Sequence, residues 1–248
     1  MGARHRYIIS TKLPLKFEFF VVKFDLNKRG IRIKKAKVKK IYLVRHGESG
    51  GNATGVYQNA DTLLTEKGRV QAEFIAGRCE KFAIDFIVSS SMKRAVETAE
   101  IVNKKLDKLL EISDLFVERR RPKAQMGLHK DSPEALAIDK ALIANFTKLG
   151  ARFSDEENFE DLRERASQAL EFLKNREEEN ILVVTHGFFL RMIIARAIFD
   201  DKLSGGECDK IIRKFHTANT GLTVLGYDKR QPDSPWWLWV WNDHAHLG

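Results

Sequence analysis

Residues 40–49 read KIYLVRHGES, an apolar run that stops abruptly in a charged turn containing glycine. Ile41, Tyr42, Leu43 and Val44 are consecutive apolar side chains, the pattern of a strand buried on both faces. The same grammar returns twice. AIDFIVSS at 83–90 is a second short apolar run, followed by SMKRAVETAEIVNKKL at helical spacing. ILVVTHG at 181–187 is a third, followed by FFLRMIIARAIF. Strand, polar turn and helix in repetition predict a mostly parallel sheet covered by helices on both faces.

Working outward, LTEKGRVQAEFIAGRCEKF at 64–82 reads as a helix capped by Thr65, with Val70, Phe74 and Ala76 expected to face inward. Ser132-Pro133 has the form of a helix start, a serine cap with proline at the first position. NFEDLRERASQALEFLKNR carries Phe159, Leu162, Ala166, Leu170 and Leu173 on one stripe. GLTVLGY and WWLWVW supply two late strands. Trp236, Trp237, Trp239 and Trp241 are read as alternation on a strand packed on both faces rather than as a ligand platform.

The chain has 248 residues and a net charge of +9. That charge is localised: residues 1–40 hold 13 Lys or Arg against Glu18 and Asp25, while the remainder carries 30 basic and 32 acidic side chains. The body is near neutral, so the basic balance is not by itself a nucleic-acid footprint. The leader contains LKFEFFVVKFDLNKRGIRIKK, which reads either as a β-hairpin turning at 27–30 or as a disordered basic extension. No apolar stretch approaches the ~20 clean residues that a membrane span needs. Cys79 and Cys208 read as free thiols of a cytoplasmic protein.

Chemistry gathers at the ends of the three apolar runs. Arg45-His46-Gly47 follows the first, Arg94 lies in the first helical turn after the second, and His186-Gly187 follows the third. In an open α/β sheet these carboxyl ends line the ligand crevice, and helix N-termini there favour a phosphate. Arginine binds phosphate in a bidentate manner and keeps its charge. A neutral imidazole can attack phosphorus. His244 and His246 imitate a metal pair, but no cysteine or carboxylate cluster completes a site.

With these blocks in order, the sequence resembles the histidine phosphatase superfamily, the phosphoglycerate mutase-like proteins. VRHGES with Asn52, LTEKGRVQA, SSSMKRAVETA, Phe116-Val117-Glu118-Arg119, VVTHGFFLR, Asn219-Thr220 and the terminal NDHAHL carry the resemblance across roughly residues 41–247. It implies a three-layer α/β/α sandwich of phosphoglycerate mutase-like form, with a small helical insertion at about 115–158. It also implies that His46 is the residue phosphorylated, and that Arg45, Arg94 and His186 hold the phosphoryl oxygens. Glu118 is the expected general acid, chosen over Glu111 and Asp114. Asn52 and Gln58 match pocket-lining positions, Gly187 allows close backbone approach, and Arg119 is the expected contact for a second anionic group of the substrate.

The expected activity is hydrolysis of a small anionic phosphate ester, with no metal and no organic cofactor. Mutases of the family that use a bisphosphate cofactor usually show Glu-Arg-His-Tyr-Gly. Here the stretch is ERRRPKAQMG, and Phe188 stands where those mutases usually have Asn. Mutase-type transfer is the first alternative. A phosphate-binding scaffold that uses the basic leader on RNA or a membrane is the second, although no specific nucleic-acid module is visible. A homodimer is compatible with the sequence.

Overall fold

Strand β1 (Lys39–Arg45) lies at the centre of a six-stranded sheet. The computed structural model describes residues 38–248, so the leader hairpin lies outside the described residues. The other strands are β2 (Phe86–Ser89), β3 (Leu110–Ile112), β4 (Asn180–Thr185), β5 (Leu222–Tyr227) and β6 (Trp236–Asp243), in the order β3-β2-β4-β1-β5-β6. The first four are mutually parallel, while β5 is antiparallel to β1 and β6 to β5. The sheet is therefore mixed, with an antiparallel edge on a parallel core.

The seven α-helices among the described residues are α1 (Gly50–Thr54), α2 (Glu66–Cys79), α3 (Lys93–Leu106), α4 (Pro133–Phe146), α5 (Phe159–Asn175), α6 (Gly187–Phe199) and α7 (Gly205–Lys214). Alternation along β1 divides the core. Ile41 and Leu43 pack with α5 and α6 on one face. Tyr42 and Val44 pack with α2 and α3 on the other. The five residues expected to form the α5 stripe are all buried, and Cys79 and Cys208 are buried free thiols. Caps behave as their chemistry dictates: Thr65 accepts from Gly68 N, and Ser132 accepts from Ala135 N.

Two readings of side-chain direction are corrected. Val70 and Phe74 are about half exposed; only Ala76 of the expected trio is buried, and the inward stripe is Gly68, Ala72, Ile75, Ala76 and Cys79. Gly68 must lie innermost because it meets the turn after β1. At about 100° per residue, Val70 and Phe74 then fall roughly 200° and 240° away from it. On β6, Trp236 is buried but Trp239 is 46% exposed. Leu225 pairs with Leu238 and Val224 with Val240, so Trp239 is the extra residue of a bulge on an edge strand. Between β3 and α5 the chain forms two short 3-10 turns and α4, which stand beside the mouth of the site. No described helix is long and apolar enough to cross a membrane.

Candidate active site

The parallel register puts Arg45 opposite Thr185, so the next residue of each strand, His46 and His186, leaves the sheet at the same level. Their rings lie 5.0 Å apart and tilted by 60°. Both are buried, at 3% and 0% exposure. Burial and the cationic Arg94 and Arg45 push both imidazoles well below the usual value, with each other's ring adding to the effect at His186.

Hydrogen bonds fix the His46 tautomer. Nδ1 lies 2.7 Å from the Gly47 carbonyl oxygen, which can only accept, so Nδ1 carries the hydrogen. Nε2 accepts from Arg94 Nε at 3.2 Å and therefore presents its lone pair. Arg94 also donates to the Asn59 carbonyl at 3.0 Å. Burial lowers its pKa to about 10, which leaves it cationic at neutral pH. Arg45 is held by donation from Nη1 to the Thr217 carbonyl at 2.6 Å.

Two buried nitrogens at this centre have no partner. Arg45 Nε and His186 Nδ1 are both unsatisfied. His186 Nε2 lies 2.7 Å from Ser90 Oγ, which itself accepts from Met92 N. With the serine hydrogen directed at Nε2, the ring hydrogen lies on the unpartnered Nδ1. Buried donors of this kind are rare and call for a ligand. A Cβ on Gly187 would lie 2.9 Å from Thr217 Oγ1 and 3.4 Å from Arg45 Nε, so a side chain there would have to displace the Thr217 hydroxyl.

Glu118 stands on the segment after β3 with its carboxylate at the start of α6. Oε1 accepts from Phe189 N at 3.0 Å and from Arg119 N at 2.9 Å, and Oε2 accepts from Phe188 N at 3.2 Å. The competing acids are occupied elsewhere: Glu111 pairs with Arg176 at 3.0 Å, and Asp114 accepts from Ser91. Asn52 Oδ1 accepts from Ser49 Oγ and from Asn219 Nδ2. Gln58 Oε1 accepts from Gly51 N at 3.2 Å. Both line the cavity, and their amide nitrogens remain available as donors.

Arg45, His46, Asn52, Gln58, Arg94, Glu118 and Gly187 line one cavity of about 810 Å³, and the His186 ring lies 5.0 Å from that of His46. The wall bears nine Lys or Arg side chains against Glu118, Asp155 and Glu157. Arg119 lies over the Phe188 ring at 4.4 Å without a carboxylate partner, while Arg121 pairs with Asp139 at 2.8 Å. Arg120 and Lys123 line the cavity as well, and Arg120 Nε donates to the Asp155 carbonyl at 2.7 Å. Ser90, Thr217 and Asn219 were not singled out as site residues from sequence, because a serine, a backbone carbonyl and an amide bond act there only through tertiary contacts. The terminal histidines have structural partners: His244 Nδ1 donates to the Asn242 carbonyl and His246 Nε2 meets Thr220 Oγ1 at 3.0 Å. No group of three or more ligating side chains suited to a metal occurs among the described residues.

Comparison with known proteins gives the family and the fold. The chain is 33% identical over 215 residues to phosphoglycerate mutase-like protein 4 of Arabidopsis thaliana, covering 84% of this chain and 86% of that one. It is 32% identical over 222 residues to the metal-independent phosphoserine phosphatase of the same plant, covering 86% and 84%. Among solved structures, Bacillus stearothermophilus YhfR superposes with a TM-score of 0.69 at 27% identity, over 84% of this chain and 99% of that one. A family model matches residues 41–242, and the chain belongs to the histidine phosphatase superfamily (branch 1).

Proposed function

We propose that the protein is a metal-independent phosphomonoester hydrolase working through a phosphohistidine at His46. The observation that carries this reading is the His46 ring, with its hydrogen on Nδ1 and its Nε2 lone pair beside Arg94, next to two buried nitrogens that lack partners, Arg45 Nε and His186 Nδ1. A phosphoryl group seated there satisfies both donors and draws the Arg94 guanidinium off Nε2. The freed lone pair forms the N–P bond as the ester P–O bond breaks. Arg45, Arg94 and the His186 Nδ1–H then face the charge that grows on the phosphoryl oxygens, in a site where little water competes.

Glu118 supplies the proton to the departing alkoxide. Its Oε2 receives the single long bond from Phe188 N, and is the oxygen free to carry that proton. In the second step the carboxylate takes a proton from water, whose oxygen bonds to phosphorus as the N–P bond breaks. Inorganic phosphate leaves and His46 is regenerated. Asn52 and Gln58 donate amide hydrogens to the bound group, Gly187 leaves room for it, and Arg119 meets an anionic remainder. No metal takes part in any of these steps.

Relatives are named both as phosphatases and as mutase-like proteins. ERRRPKAQMG and Phe188 favour water as the acceptor, as does a cavity wide enough to admit it. The test is phosphate release from a panel including phosphoserine, phosphoglycerates and p-nitrophenyl phosphate, with EDTA present, by wild type and His46→Ala. Release that withstands chelation and vanishes in the variant supports the reading. Interconversion of phosphoglycerates with little phosphate released would replace it with mutase-type transfer.

A further inference from the structure

Arg165 and Glu157 form an ion pair that no reactive role accounts for. Both are largely buried, at 13% and 10% side-chain exposure, and the contact is bidentate: Arg165 Nε to Glu157 Oε1 at 2.8 Å and Nη2 to Oε2 at 2.9 Å. A largely buried ion pair gains little net stability over apolar neighbours of equal volume. Its hydrogen bonds indicate another use. Arg165 Nη1 donates to the carbonyls of Val117 at 2.8 Å and Leu115 at 3.2 Å. Glu157 Oε2 accepts from Arg120 N at 2.7 Å, and Glu157 N donates to the Arg120 carbonyl at 3.0 Å. The backbone on both sides of Glu118 is thus tied down by one pair. The Arg165 guanidinium also lies 3.7 Å over the ring of Phe189, whose N–H the Glu118 carboxylate accepts.

We infer that the Arg165–Glu157 pair positions Glu118 for proton transfer to the leaving group, fixing the peptide that carries the acid and the helix start against which it rests. The inference rests on the assignment of Glu118 as the acid. Arg165 and Glu157 are positioning residues, since they act on the reaction through Glu118. A shift of the Glu118 peptide by a few tenths of an ångström moves the carboxyl out of line with the ester oxygen while His46 and the cationic donors stay in place. The loss therefore falls on the step that needs a proton.

Leaving-group chemistry isolates that step. Nitrophenolate departs without protonation, whereas an alkoxide needs an acid. Steady-state kcat and KM are measured for p-nitrophenyl phosphate and for an alkyl phosphate such as phosphoserine. The variants are Glu118→Gln, Glu157→Gln, Arg165→Lys and the double variant Glu118→Gln/Glu157→Gln, with folding checked by near-UV circular dichroism. Glu157→Gln keeps the shape of the side chain and serves if Arg165→Lys does not fold.

The expected result is a ratio of kcat/KM values, nitrophenyl over alkyl, raised about tenfold or more in each single variant, with no further rise in the double variant. Here kcat/KM reports the step in which the ester bond breaks and not the later hydrolysis that both esters share. Equal losses of kcat/KM on both esters in Glu157→Gln and Arg165→Lys, beside a selective loss in Glu118→Gln, would overturn the positioning role and leave the acid intact. Additive rises in the double variant would also overturn it. If Glu118→Gln itself shows no leaving-group selectivity, the acid assignment fails first, and this inference with it.

Discussion

Gly47 and Gly68 are pressed backbone to backbone: a Cβ on Gly47 would lie 2.4 Å from the Gly68 carbonyl oxygen, and one on Gly68 would lie 2.0 Å from that of Glu48. The contact seats the first turn of α2 against the turn that carries His46. It is reinforced by donation from Thr65 N to the Glu48 carbonyl at 2.9 Å. Neither side has a flexible group that could yield.

Gly68→Ala is accordingly expected to destabilise the fold by roughly 1–3 kcal/mol and to displace His46. Urea denaturation and kcat on p-nitrophenyl phosphate should both fall. Gly206→Ala serves as a control on α7, where the nearest atom to an added Cβ is Ser204 Oγ at 3.9 Å. That change should be neutral or stabilising by up to about 1 kcal/mol, through helix propensity.

The buried histidines set a pH dependence. His46 and His186 stay neutral in the fold well below their ordinary value of 6.5, whereas the unfolded chain takes up a proton on each as pH falls through that value. Stability therefore declines as pH drops below about 6.5, by up to about 1.4 kcal/mol per pH unit for each histidine, and is unaffected by them well above it. Urea midpoints at pH 7.5 and 5.5 should differ less in His186→Asn than in wild type. Equal differences would show that the ring titrates freely in the folded protein.

Ser90→Ala removes the hydroxyl that holds His186 Nε2 at 2.7 Å. The ring then lacks the contact that favours a hydrogen on Nδ1. Losing one such bond should lower kcat by about tenfold with little change in KM, because the donor acts mainly on transition-state charge. A purely apolar role for Ser90 would leave kcat unaltered.

Thr220 adopts φ of 56°, the left-handed region, which is costly for a β-branched residue. Its N–H donates to the Arg45 carbonyl at 2.9 Å, and its Oγ1 lies within hydrogen-bond distance of the Asn219 carbonyl and of His246 Nε2. The kink orients Asn219, whose amide donates to the His46 carbonyl at 2.9 Å. Thr220→Val keeps the strain and loses the hydroxyl, so it should cost about 1–3 kcal/mol and reduce turnover. Thr220→Gly relieves the strain and should lose less of both. Thermal melts and kcat measured side by side give the order wild type, Gly, Val.

Sequence alone determined the elements whose signals are local. Four apolar residues before Arg45 specify a strand buried on two faces, because period-two alternation leaves no polar side chain to meet water. Thr65 and Ser132 specify helix starts because their hydroxyls satisfy N–H groups three residues on. The short turns after three such strands bring Arg45, His46, Arg94 and His186 to one edge in any parallel sheet, so the cationic centre was legible as well. Tertiary structure decided what depends on contacts distant in sequence. The rotation of α2 follows from Gly68 meeting Gly47, which overrides the apolar character of Val70 and Phe74. Trp239 is exposed because a bulge against β5 leaves it without a counterpart. Glu118 stands apart from Glu111 and Asp114 because it lines the cavity, whereas those two engage Arg176 and Ser91 outside it. The hydrogen on each buried histidine is set by a carbonyl or hydroxyl whose direction no local pattern encodes, since it depends on how separate strands and helices pack around the pair.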